Sequence, residues 1–154
     1  YKPSKNNHLE KLLKNMRPTK NITMVQPNFS GVKKLITAIK KGEVVGLLPD
    51  QVPPINHGMY QSFFGHSAYT MTLASKLILV TGVPVIWTYV QYKKNGWRVT
   101  IEPWDSSEFS KMNISEMTKA MNQKIEQLIL KDPESYMWSY DRYKRPKKNI
   151  LINN

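Results

Sequence analysis

Residues 30–51 read SGVKKLITAIKKGEVVGLLPDQ, and the fold expectation turns on this stretch. Val32, Leu35, Ile36 and Ile39 recur at i, i+3, i+4 and i+7, one face of a helix, which Ser30 opens and Gly42 closes. Residues 43–48 follow as a compact apolar run, the pattern of a buried strand, and Pro49 stops it. Residues 22–25 are expected to form a short strand ahead of the helix. Strand, helix and strand in so short a span predict a right-handed crossover between parallel strands. The expected fold is therefore α/β, with a mixed, mostly parallel sheet flanked by helices.

Upstream, Leu9, Leu12, Leu13 and Met16 fall at helical spacing, with Pro18 just beyond them. Downstream, residues 50–67 read as a long loop and residues 68–81 as a helix ended by Gly82. Residues 84–92 and 97–103 flank Lys93, Lys94, Asn95 and Gly96, whose Asn-Gly pair signals a hairpin. Asn113 with Glu116 three residues later is a capping-box pattern. It opens a helix whose buried stripe is expected to be Met117, Met121, Ile125, Leu128 and Ile129. Residues 135–145 mix aromatic with basic side chains. Residues 1–146 are expected to form part of a single domain, with residues 147–154 as a loose tail.

The 154 residues contain no cysteine, which excludes disulfides, thiolate chemistry and cysteine-type zinc sites, and with only three histidines no metal site is expected. A net charge of +12 favours anionic partners: nucleic acid, phospholipid headgroups, phosphorylated glycolipids or an acidic carrier protein. The most apolar stretch, residues 73–87, is broken by Lys76, Gly82 and Pro84, so any membrane contact of these residues is expected at a surface. Trp97, Trp104, Tyr136, Trp138, Tyr140 and Tyr143 carry amphipathic rings that fit a membrane interface or partial burial.

Asp50 directly follows the expected buried strand, and ligands of open α/β sheets gather beyond the carboxyl ends of strands. A lone aspartate there more often caps a turn or answers an arginine. Its company is more specific. In order along the chain stand Tyr1-Lys2-Pro3, Lys41-Gly42-Glu43-Val44-Val45, Pro49-Asp50-Gln51 and Phe63-Phe64-Gly65. Thr81-Gly82-Val83-Pro84-Val85, Pro133-Glu134-Ser135-Tyr136-Met137-Trp138, Arg142 and Lys144-Arg145-Pro146 complete the series.

In the order and spacing of these pieces the chain resembles the lipid A biosynthesis (lauroyl and myristoyl) acyltransferases, within the wider glycerolipid acyltransferase group. The resemblance implies transfer of a fatty acyl chain from an acyl carrier protein thioester to a hydroxyl of a phosphorylated glucosamine lipid, without a cofactor. It implies work at an anionic membrane surface, on the cytoplasmic face of the inner membrane, held peripherally or by an N-terminal segment, and no nucleic-acid partner. The family's signature is a histidine followed after four residues by Asp or Glu, in which the histidine takes the hydroxyl proton and the carboxylate orients it. Here the fifth residue after His8 is Leu13, after His57 it is Ser62, and after His66 it is Met71. In the family that signature lies upstream of the Tyr-x-Pro segment at which this chain starts. The resemblance thus implies a C-terminal portion with the N-terminal part missing, inactive alone and without a catalytic residue of its own.

By the same resemblance Arg17, Arg142 and Arg145 match basic positions and are candidate phosphate anchors, because a guanidinium forks onto phosphate oxygens. Asp50 and Gln51 join them as candidate substrate-binding residues, the glutamine through a sugar hydroxyl. Two other readings compete: a catalytically silent lipid-binding relic, and a basic nucleic-acid-binding domain. The second lacks any recognition motif, and Lys33, Lys34, Lys40 and Lys41 sit on the helix with the apolar face, the pattern of a solvated surface.

Overall fold

The computed structural model describes residues 21–146. The chain divides into two compact units, Tyr1–Gly46 and Leu47–Asn154. The helix expected over residues 9–16, Arg17, and the tail after Pro146 lie outside the described residues.

In the first unit, helix α1 spans Phe29–Lys40. Its cap is Asn28, not Ser30: the Asn28 side chain accepts the Gly31 backbone N–H at 2.8 Å. Val32, Leu35, Ile36 and Ile39 are half-buried while Lys33, Lys34 and Lys40 face solvent, as the periodicity predicts. The segments on either side, residues 22–26 and 43–48, carry no strand pairing. A parallel strand needs a neighbour to take its N–H and C=O groups, and among the described residues none offers one. Val44 and Leu48 are accordingly exposed.

The second unit is mixed α and β, built from two separate two-stranded antiparallel sheets. The first pairs β1 (Gly58–Phe63) with β2 (His66–Met71). Helix α2 (Leu73–Thr81) follows, closed by Gly82 in a left-handed cap. The second sheet pairs β3 (Val85–Lys93) with β4 (Gly96–Trp104). Helix α3 (Ile114–Lys131) comes last, and its Asn113 and Glu116 form the expected capping box. The described residues thus show antiparallel pairs, and the mostly parallel sheet is not among them.

The long loop and the helix expected over residues 50–81 are replaced in part by the first hairpin. Its turn is Phe64-Gly65, with φ of 47° and 76°, the positive pair that a two-residue hairpin turn requires. Gly58 is there for space: a Cβ on it would lie 2.4 Å from the Thr70 carbonyl oxygen. The Tyr69 hydroxyl accepts the N–H groups of Asn56 and Gly58, so the strand's entry turn is fixed by the opposite strand.

Helix α3 is the spine of this unit. Met117 and Met121 pack with Ala74, Ile78 and Phe109, with Val85, Trp87 and Trp104 against them. Ile125 and Ile129 pack with Phe63 and Ala68, and Trp87 touches this cluster as well. One apolar row on one helix therefore serves both hairpins. Burying a side chain such as Met117 completely stabilises the fold by about 1.5–3 kcal/mol before entropy is counted. Leu128, expected in the stripe, is only half-buried. Among the described residues no helix is long and apolar enough to cross a membrane.

Candidate substrate-binding site

The segment after α3 brings most of the sequence candidates together. A short 3-10 turn, Pro133–Ser135, reverses the chain, and residues 136–145 then run back over the first hairpin. Tyr143 donates its hydroxyl to the Phe63 carbonyl at 2.8 Å, and the Val52 N–H donates to the Tyr140 hydroxyl at 2.7 Å. The Pro49-Asp50-Gln51 turn is thereby tied to the Tyr136–Arg142 region, though 88 residues separate Val52 from Tyr140.

Arg142 is only 3% exposed. It donates to the Tyr69 carbonyl at 2.9 Å, to the Thr70 hydroxyl at 2.8 Å and more weakly to the Asn122 side-chain oxygen at 3.4 Å. Its guanidinium lies 5.0 Å from the Phe63 ring centre. Its Nε is buried without a hydrogen-bond partner, and it makes no ion pair with a described carboxylate. Burial pushes this guanidinium below its ordinary value, with Tyr136, Tyr140 and Asp50 acting the other way. Burial likewise raises the Tyr136 hydroxyl, and the negative charge of Asp50 adds to the rise.

Asp50 is half-buried in its turn, within electrostatic reach of both Tyr136 and Arg142. Gln51 beside it is exposed. Arg145 is exposed three residues beyond Arg142, and Lys144 sits 4.1 Å over the Tyr140 ring. Asp50, Arg142 and the tyrosines are thus gathered at one place, with Gln51 and Arg145 as exposed donors on the same two segments. Arg17 lies outside the described residues. His66 stacks edge-on against Tyr143 at the first hairpin's turn, and His57 is exposed. Among the described residues no cluster of His, Cys, Asp or Glu could hold a metal ion.

Sequence reasoning missed the polar side chains of α3 that tie this region together. Asn122, fully buried, donates to the Ser62 carbonyl at 2.8 Å and the Thr70 hydroxyl at 3.0 Å. Glu126 accepts the Phe64 N–H at 2.8 Å, and Thr118 shares a hydrogen bond with Ser75 at 2.9 Å. The signal was present. Thr118, Asn122 and Glu126 form an i, i+4 row displaced by one position from the apolar row Met117, Met121, Ile125 and Ile129. A polar row beside an apolar one marks a helix that contacts a partner backbone as well as a core.

The family profile described as bacterial lipid A biosynthesis acyltransferase matches residues 1–145. The lipid A biosynthesis lauroyltransferase of Escherichia coli (strain K12) is 29% identical over 149 residues, covering 94% of this chain and 47% of that protein. The lipid A biosynthesis palmitoleoyltransferase of the same organism is 26% identical over 147 residues, again 94% and 47%. A lipid A biosynthesis acyltransferase of Haemophilus influenzae is 25% identical over 109 residues, 71% of this chain and 34% of that protein. The chain spans less than half the length of these curated relatives.

Proposed function

The chain belongs to the bacterial lipid A biosynthesis acyltransferase family, and on that premise we propose that it is the acceptor-binding part of an enzyme that moves a fatty acyl chain from acyl carrier protein to a hydroxyl of a phosphorylated lipid A precursor. The observation that carries this reading is the family match over residues 1–145. The gathering of Asp50, Tyr136 and Arg142 supports it, because it sets a carboxylate and hydrogen-bond donors beside exposed Gln51 and Arg145.

In this reading the two arginines divide the work. Arg142, with both terminal nitrogens bonded inward, holds residues 136–145 in place and adds positive potential. Arg145 forks onto acceptor phosphate, a role for which Arg17 is a separate candidate. Asp50 and Gln51 orient sugar hydroxyls. No histidine in the chain is followed after four residues by Asp or Glu, so the general base comes from polypeptide outside these residues and the chain alone is inactive. Residues 22–25 and 43–48 become neighbouring parallel strands of a larger sheet in the whole enzyme. Its positive charge serves anionic lipid and acidic carrier protein rather than nucleic acid, at the cytoplasmic face of the inner membrane.

The test is acyl transfer by the complete gene product, supplied with acyl carrier protein thioester and a tetra-acylated precursor. Product is expected, and none from the 154 residues alone. Asp50→Asn in the complete protein should leave melting unchanged and lower the rate at least tenfold, about 1.4 kcal/mol of transition-state stabilisation. Arg145→Ala should raise KM more than it lowers kcat, because phosphate anchoring is largely uniform binding. A complete, folded protein with no transfer activity removes the proposal.

A further inference from the structure

Thr70 stands at the centre of the buried network behind the candidate site, and its hydroxyl has no bonding capacity to spare. Its single proton goes to the Ala68 carbonyl at 3.0 Å. Its two lone pairs accept from Asn122 Nδ2 at 3.0 Å and from Arg142 Nη2 at 2.8 Å. Asn122 is fixed in turn by its second amide proton, which goes to the Ser62 carbonyl at 2.8 Å. Thr70, Asn122 and Arg142 are 2%, 0% and 3% exposed. Bonds among side chains so enclosed are out of reach of any polypeptide beyond this chain. The Val52–Tyr140 hydrogen bond draws the Asp50 turn against the segment that carries Arg142, and Asp50 acts electrostatically on the guanidinium. A carboxylate and a guanidinium so placed attract each other, and a pair forms unless one of them is held elsewhere. Among the described residues Asp50 makes no ion pair, and both terminal nitrogens of Arg142 are bonded to the first hairpin instead.

We propose that Thr70 is a positioning residue: its hydroxyl holds Arg142 to the first hairpin and so keeps the Asp50 carboxylate available to the lipid acceptor. The Tyr69 carbonyl holds Nη1, but Nη2 has within the network only Thr70 and a weak contact of 3.4 Å to Asn122. Without the hydroxyl, Nη2 is a buried donor short of a partner, and Asp50 offers it one of opposite charge. The carboxylate would then be spent on Arg142 and lost to the substrate. The inference rests on the acyl-transfer reading for the role of Asp50, whereas the holding of Arg142 stands apart from it.

Two variants of the complete gene product separate shape from bonding: Thr70→Val keeps the branched shape without the hydroxyl, and Thr70→Ser keeps the hydroxyl. A crystal structure of Thr70→Val should show Arg142 within about 4 Å of the Asp50 carboxylate, and that of Thr70→Ser should not. In acyl transfer Thr70→Val should lose about tenfold in rate per folded molecule, and Thr70→Ser should restore most of it. With Asp50→Asn already present, Thr70→Val should lower the rate no further, because no carboxylate is left to capture. Losses that add in the double variant assign Thr70 to the fold alone and overturn the proposal. So does a Thr70→Val structure in which Arg142 stays on the hairpin. If Thr70→Val does not fold, Thr70→Cys, with a weakly accepting sulfur in place of the hydroxyl, carries the same measurements. A parent protein without transfer activity removes the acyl-transfer reading and the role of Asp50 with it, while the two structures still decide whether Thr70 holds Arg142.

Discussion

The two hairpins of the second unit have the same topology and opposite construction. β1–β2 is short and held from outside: Asn122, Glu126, Arg142 and Tyr143 all bond to its strands or turn. β3–β4 is longer and held mainly by one apolar face, through Val85, Trp87 and Trp104, with Glu102 as its ionic tie among the described residues. A hairpin whose buried polar groups are answered by distant side chains has one place it can sit. A hairpin specified by alternation keeps its own register and leaves its second face to whatever covers it. Polar ties fix position; apolar alternation fixes register.

The contrast breaks most severely at Arg142. Arg142→Ala strips the Tyr69 carbonyl and the Thr70 hydroxyl of a buried donor and opens a void beside Phe63. A loss of about 3–5 kcal/mol is expected in urea unfolding. Asn122→Ala should cost less, roughly 2–3 kcal/mol. A midpoint close to that of the parent in both variants would mean that the first hairpin is held by packing, as the second is.

An intermediate effect is expected at the first hairpin's turn. Gly65→Ala places a side chain at φ 76°, a conformation that costs an L-residue roughly 1–2 kcal/mol. In the β3–β4 connection the positive φ falls on Gly96 alone, at 134°, and neither Lys94 nor Asn95 has one. Asn95→Ala should therefore be close to neutral, and equal losses at the two turns would erase the distinction.

The smallest effect is the acid response of the second hairpin. Hydrogen bonds from Lys124 and then Lys131 hold the Glu102 carboxyl below the ordinary glutamate range. The folded chain thus binds this proton less readily than the unfolded chain. The resulting stability is complete above the ordinary value and fades as pH falls through the lower folded one, in the region of roughly pH 4 and below. Lys131, raised by Glu102, contributes stability that is lost only on the far alkaline side. Near-ultraviolet dichroism of the Trp87–Trp104 pair, 5.5 Å apart, reports on this hairpin. Glu102→Gln should flatten the acid limb of that signal, and an unaltered limb would assign the acid response to other groups.

What the sequence made legible follows the same division. The second hairpin was readable because Asn95-Gly96 interrupts alternating strands, and α3 because its capping box and apolar row are local patterns. The turn itself is Lys94-Asn95, with Gly96 already paired to Lys93. The first hairpin was not readable. Phe64 occupies a left-handed position that residue type does not announce, and Ala68, Tyr69 and Thr70 are all buried, so β2 has no alternation to separate it from the helix after it. Residues 43–48 have a strand's composition, but pairing depends on a neighbour and not on composition. At the candidate site, Asp50 and Arg142 could be singled out by resemblance. That Arg142 points inward to Asn122 depends on three segments meeting, which no local pattern encodes.

The long reach of Arg142 and Tyr143 also sets an order of events. Their bonds to β1 and β2 close loops of 72 to 80 residues, whereas β3–β4 completes itself within residues 85–104. Hairpins closed by short turns form in about 1–10 μs, and non-local contacts wait on the entropy of loop closure. The second hairpin can therefore exist before α3 is in place. The first acquires the Arg142 and Tyr143 donors only when residues 136–145 arrive, and the candidate site takes shape with them.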